Sequence, residues 1–423
     1  PSTPLFDACR EEVMKRLPTS SPTAAAADRQ SSRGARWFVI SQAVLLVAVV
    51  AIPWARATSL PALPEMPLAL RNEPLRIQPL HDQPLMVSDR QLQQVLTKLQ
   101  PHYRKPRPKI SVVDHALRFW GAEPTFAEPT TLSGQQMRQL LLDHRVYVKF
   151  WGPDAPPLVT KQADGVSVRT QDGGSTASHV DHTLATLAEV GTPLNHPVVT
   201  PTGPATVADI LHQAVRDFSL NQAEYEWTTL ALALYAPSAE PWLSKEGQQV
   251  TFDTLAHRIM RQSLAEGVCY GNHRLYTLAA LLQVDRSHAI LQPGTRQAIQ
   301  QHLLAVTARL VATQSPQGWW DGNWADGAPL KPGQTVGDIA RRLLAPGQAL
   351  EWWGIAPGEL LPPHETLRRG AQWLVIEIEK LDAAAVDENY TFLSHIGRAL
   401  ALWRGTTPAA AWQAQTAAQQ PTN

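Results

Sequence analysis

Cysteine is nearly absent: this chain of 423 residues holds two, Cys9 and Cys269. They lie on opposite sides of the long apolar run described below, so no disulfide framework can hold the fold together. Net charge is missing as well. The 37 basic and 37 acidic residues cancel, and no basic stripe with interleaved aromatics occurs, which argues against a nucleic-acid partner. The densest basic stretch, PHYRKPRPK at residues 101–109, carries three prolines. It reads as an extended surface strap, with phosphate or lipid binding as the rival. Diagnostic metal spacing is also lacking. Cys269 with His273, and His179 with Asp181 and His182, match no zinc pattern, so neither a metal nor a cofactor is expected.

What the chain does have is one uncharged apolar run, WFVISQAVLLVAVVAIPWA, over residues 37–55. Its length suits a helix crossing a hydrocarbon core of roughly 30 Å. Arg29, Arg33 and Arg36 precede it and Arg56 follows, so the positive-inside bias keeps residues 1–36 cytoplasmic and the bulk of the chain periplasmic or extracellular. Trp37 and Trp54 mark the two interfaces. A cleaved signal peptide is the rival reading, because Ala55-Arg56-Ala57 has an A-x-A pattern. Residues 1–36 are rich in Ser, Thr and Ala, which suggests disorder.

Residues 56–87 carry Pro61, Pro64, Pro67, Pro74, Pro79 and Pro84 and read as a polyproline-like stalk. Beyond it, Ser88 and Gln91 form a capping box ahead of a helical pattern. Over residues 88–204 the reading is helical with one β hairpin, its strands being VYVKFW and VSVRTQ between residues 145 and 172. From 205 to 405 helices dominate. Thr206 and Asp209 form a second capping box, and apolar residues recur at helical spacing from Trp227, Phe252, Leu275, Leu367 and Phe392. Residues 406–423, rich in Ala, Gln and Thr, read as a flexible tail.

The stretch QSPQGWWDGNW, residues 314–324, places a helix end, a tight turn and three tryptophans together. Gln317, Gly322 and Trp324 have a spacing that resembles the Gln-Trp motif of squalene and hopene cyclases. The resemblance implies the α/α toroid shared by terpene cyclases and protein prenyltransferases, in which the Gln caps a neighbouring helix end and the Trp stacks beneath it. The chain lacks the D-x-D-D acid of class II terpene cyclases, so cyclase activity is not implied. The expected fold is mostly α, an α/α toroid with a small β hairpin insertion, preceded by one transmembrane helix.

Candidate site residues cluster in GVCYGNHRLYTLAALL, residues 267–282. Helical geometry from Cys269 would set Cys269, His273 and Tyr276 on one stripe, facing a cavity. The bland alternative has Asn272 capping the helix and Arg274 pairing with an acid. Asn272, His273, Arg274 and Tyr276 also resemble the Asn/His/Arg/Tyr group of toroidal polysaccharide lyases, which implies proton abstraction from a uronate. Glu351, beside Trp352 in GQALEWW, suits a general acid if desolvated and a partner of a buried Arg, such as Arg398, if not. Trp319, Trp320 and Asp321 complete the candidate ligand set, by carbohydrate stacking if exposed. Two functions follow. One is a membrane-anchored extracytoplasmic enzyme acting on glycan or isoprenoid-linked material. The other is a non-catalytic binding or scaffold module. An enzyme should converge Glu351, His273 and Arg274 in one pocket, whereas a scaffold should bury each with its own partner.

Overall fold

Alternating apolar periodicities and capping signals produce a mostly helical chain with, among the described residues, three short hairpins. The computed structural model describes residues 40–47, 49, 68–103, 107–128, 130–326 and 339–419. Residues up to Ala62 form one unit and Leu63–Asn423 another. In the first unit, residues 40–47 and 49 belong to a helix, α1, whose apolar side chains, from Ile40 to Val49, are exposed. The rest of the 37–55 run lies outside the described residues, as do residues 1–36. Among the described residues no helix is long and apolar enough to cross a membrane.

The second unit opens with an extended strap in place of the expected stalk. Between its prolines, backbone N–H groups donate outward: Arg71 to Tyr235 O, Leu75 to Leu234 O, Leu80 to Gly354 O and Gln83 to Trp403 O, at 2.7–3.3 Å. Those carbonyls sit at helix C-termini, where the helix has no donor of its own to offer them. Proline-rich chain cannot be helical, but its extended backbone leaves alternate N–H groups free for this role. Leu68, Met86 and Val87 are buried, so the packed unit begins about twenty residues before Ser88.

Helices α2 (Asp89–Lys98), α3 (Ile110–Trp120) and α4 (Gly134–Leu142) follow, α2 with the expected Ser88–Gln91 capping box. The segment VYVKFW is helical, not a strand. Asp143 caps α5 (His144–Trp151) through Arg145 N, and of that helix only Tyr147 is buried. The hairpin instead pairs β1 (Val159–Lys161) with β2 (Val166–Val168) across the Asp164-Gly165 turn. Next come α6 (His182–Glu189), the hairpin β3 (Pro197–Thr200) and β4 (Gly203–Thr206), α7 (Val207–Asp217) and α8 (Glu226–Tyr235). They are followed by the hairpin β5 (Trp242–Leu243) and β6 (Gln249–Val250), α9 (Phe252–Arg261), α10 (Asn272–His288) and α11 (Pro293–Thr313). The remainder comprises α12 (Ile339–Ile355), α13 (His364–Lys380), α14 (Ala383–Glu388), α15 (Tyr390–Leu402) and α16 (Pro408–Gln419). The expected tail is therefore mostly helix. Trp412 anchors it, buried against Trp120 and Phe126, with its indole N–H on Thr125 O at 3.0 Å.

Six helices pack in a closed cycle: α3 on α6, α6 on α8, α8 on α10, α10 on α12, α12 on α15, and α15 back on α3. Flanking them in sequence run further helices packed against them: α4 on α3, α7 on α6, α9 on α8 and α10, α11 on α10, α13 on α12, and α2 on α15. The boundary expected at 204/205 divides nothing, because α3 and α6 complete the cycle. The inner helices are buried on nearly every face. Every residue of α8 is buried, the pattern of a helix enclosed on all sides.

The turn at 314–326 staples this cycle to its outer layer, with a different glutamine from the one expected. Gln314 Nε2 donates to Gly318 O and to Thr366 O in the first turn of α13, both at 2.9 Å, and its Oε1 accepts from Arg369. Gln317 is exposed. Likewise Trp320, not Trp324, lies under α13, its ring against Gly370 and its indole N–H on Leu310 O at 2.7 Å. Gly318 sits at φ 108, where a Cβ would fall 2.4 Å from Arg369 O, so only glycine fits. Replacing Gln314 by Ala removes hydrogen bonds to Gly318 O, Thr366 O and Arg369 and should lower stability by about 1–3 kcal/mol. Gln317→Ala should stay within about 0.5 kcal/mol of wild type. Urea midpoints of the two variants check this, and equal effects would count against the Gln314 staple.

Candidate functional site

The interior of the helix cycle holds polar groups in two layers. On α3, α10 and α15 a histidine is followed three residues later by a charged or phenolic group: His115 and Arg118, His273 and Tyr276, His395 and Arg398. On α6 the same order spans seven residues, from His182 to Glu189. The order repeats, so these helices run in the same direction, imidazoles toward their N-terminal ends and charges toward the strap.

The lower layer is a closed ring of four charges. Arg118 Nε donates to Glu189 Oε2 at 2.5 Å and its Nη1 to Glu351 Oε1 at 2.8 Å. Arg398 Nη1 donates to the same Glu351 oxygen at 2.6 Å and its Nη2 to Glu189 Oε1 at 2.7 Å. Tyr276 sits at the centre. Its hydroxyl donates to Glu189 Oε1 and accepts from Arg398 Nη2, while both guanidiniums lie over its ring at 4.8 and 5.1 Å. Arg118 also lies 5.2 Å over Trp227 of α8. Burial by itself would raise both carboxyls. The two guanidiniums reverse that, holding Glu189 below its usual range and, with His395, Glu351 well below it. Burial drives the Tyr276 hydroxyl up, so it stays protonated.

The upper layer is imidazole and indole. His115 stacks on His182 at 4.4 Å, His182 meets Trp227 edge-on at 4.5 Å, Trp227 meets His273 at 4.8 Å, and His273 stacks on His395 at 5.7 Å. His395 closes the circuit on His115 at 5.6 Å. Their tautomers are set from behind. His395 Nδ1 donates to Glu351 Oε2 at 2.6 Å, His115 Nδ1 to Ser111 O at 2.7 Å, and His182 Nδ1 to Asp114 Oδ2 at 2.8 Å. For His115 and His395, whose rings burial keeps neutral, Nε2 is left as a lone pair. Burial, then the neighbouring imidazoles, hold His115 and His273 well below the usual histidine value; burial also lowers His395 against the pull of Glu351. These rings are neutral at pH 7. Several buried atoms here have no protein partner: Nε2 of His182 and of His273, Nε1 of Trp227, Nη2 of Arg118, Oδ1 of Asp114 and Oδ1 of Asn272.

Above the imidazoles the chain is contorted. Cys269 and Tyr270 take φ 54 and 55, followed by Gly271 at 71, so α10 begins at Asn272 and not at Cys269. Asn272 does not cap; its Nδ2 donates back to Cys269 O at 2.9 Å. Burial pushes the Cys269 thiol up to about 12, which rules it out as a nucleophile at neutral pH.

Of the residues expected at the site, His273, Tyr276 and Glu351 meet in the interior and Asn272 and Cys269 lie above it. Arg274 turns away, its Nε on Glu226 at 2.7 Å and Nη1 on Ser263 O at 2.6 Å, as the pairing alternative had it. Glu351 likewise pairs with Arg398. Trp319, Trp320 and Trp352 are buried; Trp319 faces Trp373 and Trp352 packs on Trp353, so none offers a face for stacking a glycan. Asp321 Oδ1 accepts from Gly322 N within its own turn. Arg118, Glu189, His115 and His395 were not singled out. Their signal was present in ISVVDHALRFW, HTLATLAE and SHIGRALAL, apolar helices interrupted by a lone charge or by His and Arg three apart. Among the described residues no group of three His, Cys, Asp or Glu side chains is placed to hold a metal ion. No protein-family model, curated protein or solved structure matches this chain.

Removing one member of a buried charge ring leaves the others uncompensated. Glu351→Gln should cost about 3–5 kcal/mol, measurable by urea denaturation. The pH dependence has a definite sign. Below the ordinary histidine value of 6.5 the unfolded chain takes up protons that the buried imidazoles refuse, so stability falls. It falls further as pH drops below 4.5 and then through the depressed folded values of Glu189 and Glu351. Asp181, raised to about 6 by burial, opposes this only between 3.8 and that value. The urea midpoint should rise from about pH 5 to pH 7 and level off. A midpoint that rises on acidification would contradict neutral buried imidazoles.

Proposed function

We propose that this chain is a membrane-anchored, extracytoplasmic protein whose helical unit is an α/α toroid of six hairpins, and that its interior acts on a hydroxyl-rich, glycan-type substrate by proton transfer. The toroid reading rests on the closed cycle of six inner helices, each paired with an outer one in chain order. The membrane anchor rests on the apolar run at 37–55 and the exposed apolar side chains of α1.

The observation that carries the functional reading is the imidazole layer with its unpartnered buried atoms. Buried polar groups left without partners cost about 1–3 kcal/mol each, so a cluster of them points to an occupant. The Nε2 lone pairs of His115 and His395 accept hydrogen bonds, as sugar hydroxyls require, and Arg118 Nη2 and Trp227 Nε1 donate. Chemically, His395 is a base whose back side is anchored by Glu351, the arrangement in which a carboxylate stabilises the imidazolium formed on proton uptake. His273, stacked on it, is the second proton carrier. Arg118 Nη2, buried and without a protein partner, would stabilise a developing oxyanion.

The non-catalytic alternative has one observation in its favour: the charge ring satisfies itself, and Arg274 and Glu351 each have partners of their own. A melting-temperature screen of glycans, polyprenyl phosphates and divalent metals separates the two. A glycan at a hundred times its dissociation constant should add about 2.7 kcal/mol. His273→Gln should abolish that shift and leave the ligand-free midpoint close to wild type. If no glycan shifts the midpoint and His273→Gln only destabilises, the interior is structural.

A further inference from the structure

A second, separate feature lies beside the N-terminal end of α6. A cavity of about 130 Å³ opens between β2, α7 and the loop before α6. Asp181, Asp217, Gln213, Gln222 and Thr170 give it its polar wall, and no basic side chain lines it. Asp181 is the left-handed residue, φ 56, that opens α6, and one of its carboxylate oxygens accepts from Thr228 Oγ1 at 2.6 Å. Gln213 is 9% exposed. Its Nε2 donates to Asp217 Oδ2 at 2.8 Å, which leaves Oε1, buried and without a donor, on the cavity wall.

We propose that this cavity binds a divalent cation of the calcium type, with Asp181, Asp217 and the Gln213 amide oxygen as protein ligands and water completing the shell. The ligand set is all oxygen, two carboxylates and a neutral carbonyl, which suits a hard cation and not a thiophilic or imidazole-seeking one. A cation there would answer two otherwise unfavourable features together: two acids on one small cavity and an orphaned, buried carbonyl oxygen. Asp217 is exposed and provides the way in. Because Asp181 precedes His182 and binds the residue after Trp227, the ion would also brace one side of the imidazole layer. The proposal does not depend on the catalytic reading.

The test uses the full chain in detergent, stripped with EDTA and titrated with calcium chloride while its melting is followed. The midpoint should rise and saturate in the submillimolar to millimolar range, on the order of that of extracellular calcium modules. Asp217→Asn keeps an oxygen that can accept from Gln213 Nε2 but removes the ligand charge, so it should need at least about tenfold more calcium than wild type for the same shift above its own calcium-free midpoint. Gln213→Glu, which adds a ligand charge, should need less. If calcium to about 10 mM leaves the wild-type midpoint unmoved, or shifts Asp217→Asn equally, the site does not exist.

Discussion

Two guanidiniums and two carboxylates, each from a different helix, share one buried interior, and none is tolerable there without the others. Arg118, Glu189, Arg398 and Glu351 alternate in sign around a closed circuit, so every charge has two opposite neighbours and the sum is zero. Desolvating such charges costs several kcal/mol apiece, and only near-ideal geometry recovers it. The consequence is positional. Four inner helices must hold their axial register for the circuit to close, and a fifth must present Tyr276 beneath both guanidiniums. Apolar packing alone would let such helices slide by a turn with little penalty; the charge circuit does not.

The layer above inherits its chemistry from this circuit. Glu351 belongs to both, since one oxygen serves the arginines and the other fixes the His395 tautomer. Because Glu351 is held as an anion, His395 Nδ1 keeps its proton and Nε2 is left open. The nearby positive charge of Arg118 also helps keep His273 neutral. A set of neutral imidazoles with defined tautomers is thus the electrostatic shadow of a salt-bridge ring one helical turn away. The strap matters here too. By spending its own N–H groups on the C-terminal carbonyls of α8, α12 and α15, it closes the end of the cycle opposite the imidazoles.

At the N-terminal end the backbone itself is strained. Cys269 and Tyr270, both non-glycine residues in the left-handed region, cost of order 1–3 kcal/mol each and persist only if their surroundings demand it. The demand is visible on two sides. Tyr270 packs so closely over Gly322 that a Cβ there would fall 2.5 Å from its hydroxyl, and Leu264 crowds Gly271 in the same way. The aromatic turn after α11 therefore serves two purposes, stapling α13 through Gln314 and Trp320 and seating the segment that covers the imidazoles.

Much of this was legible in the order of residues. Capping boxes at Ser88 and Thr206 and the 3.6-residue periodicities placed most of the helices, because local hydrogen bonding and one-sided burial act over a few residues. His273, Tyr276 and Glu351 could be picked out because a polar group in an apolar helix needs a reason. Other features depended on residues far apart in the chain. VYVKFW has strand composition but lies where Asp143 can cap it, and the proline-rich segment from 68 became a strap only because helix ends were waiting for its donors. Which glutamine would staple the turn depended on where Thr366 came to rest. The pairing of Arg118 with Glu189 and Glu351 spans 71 and 233 residues, and no local rule connects them. The sequence by itself determined which segments coil and which faces are apolar, since those depend on near neighbours. Only the tertiary structure decided which buried charges meet, because the energy of an ion pair depends on distance in space and on the water excluded around it.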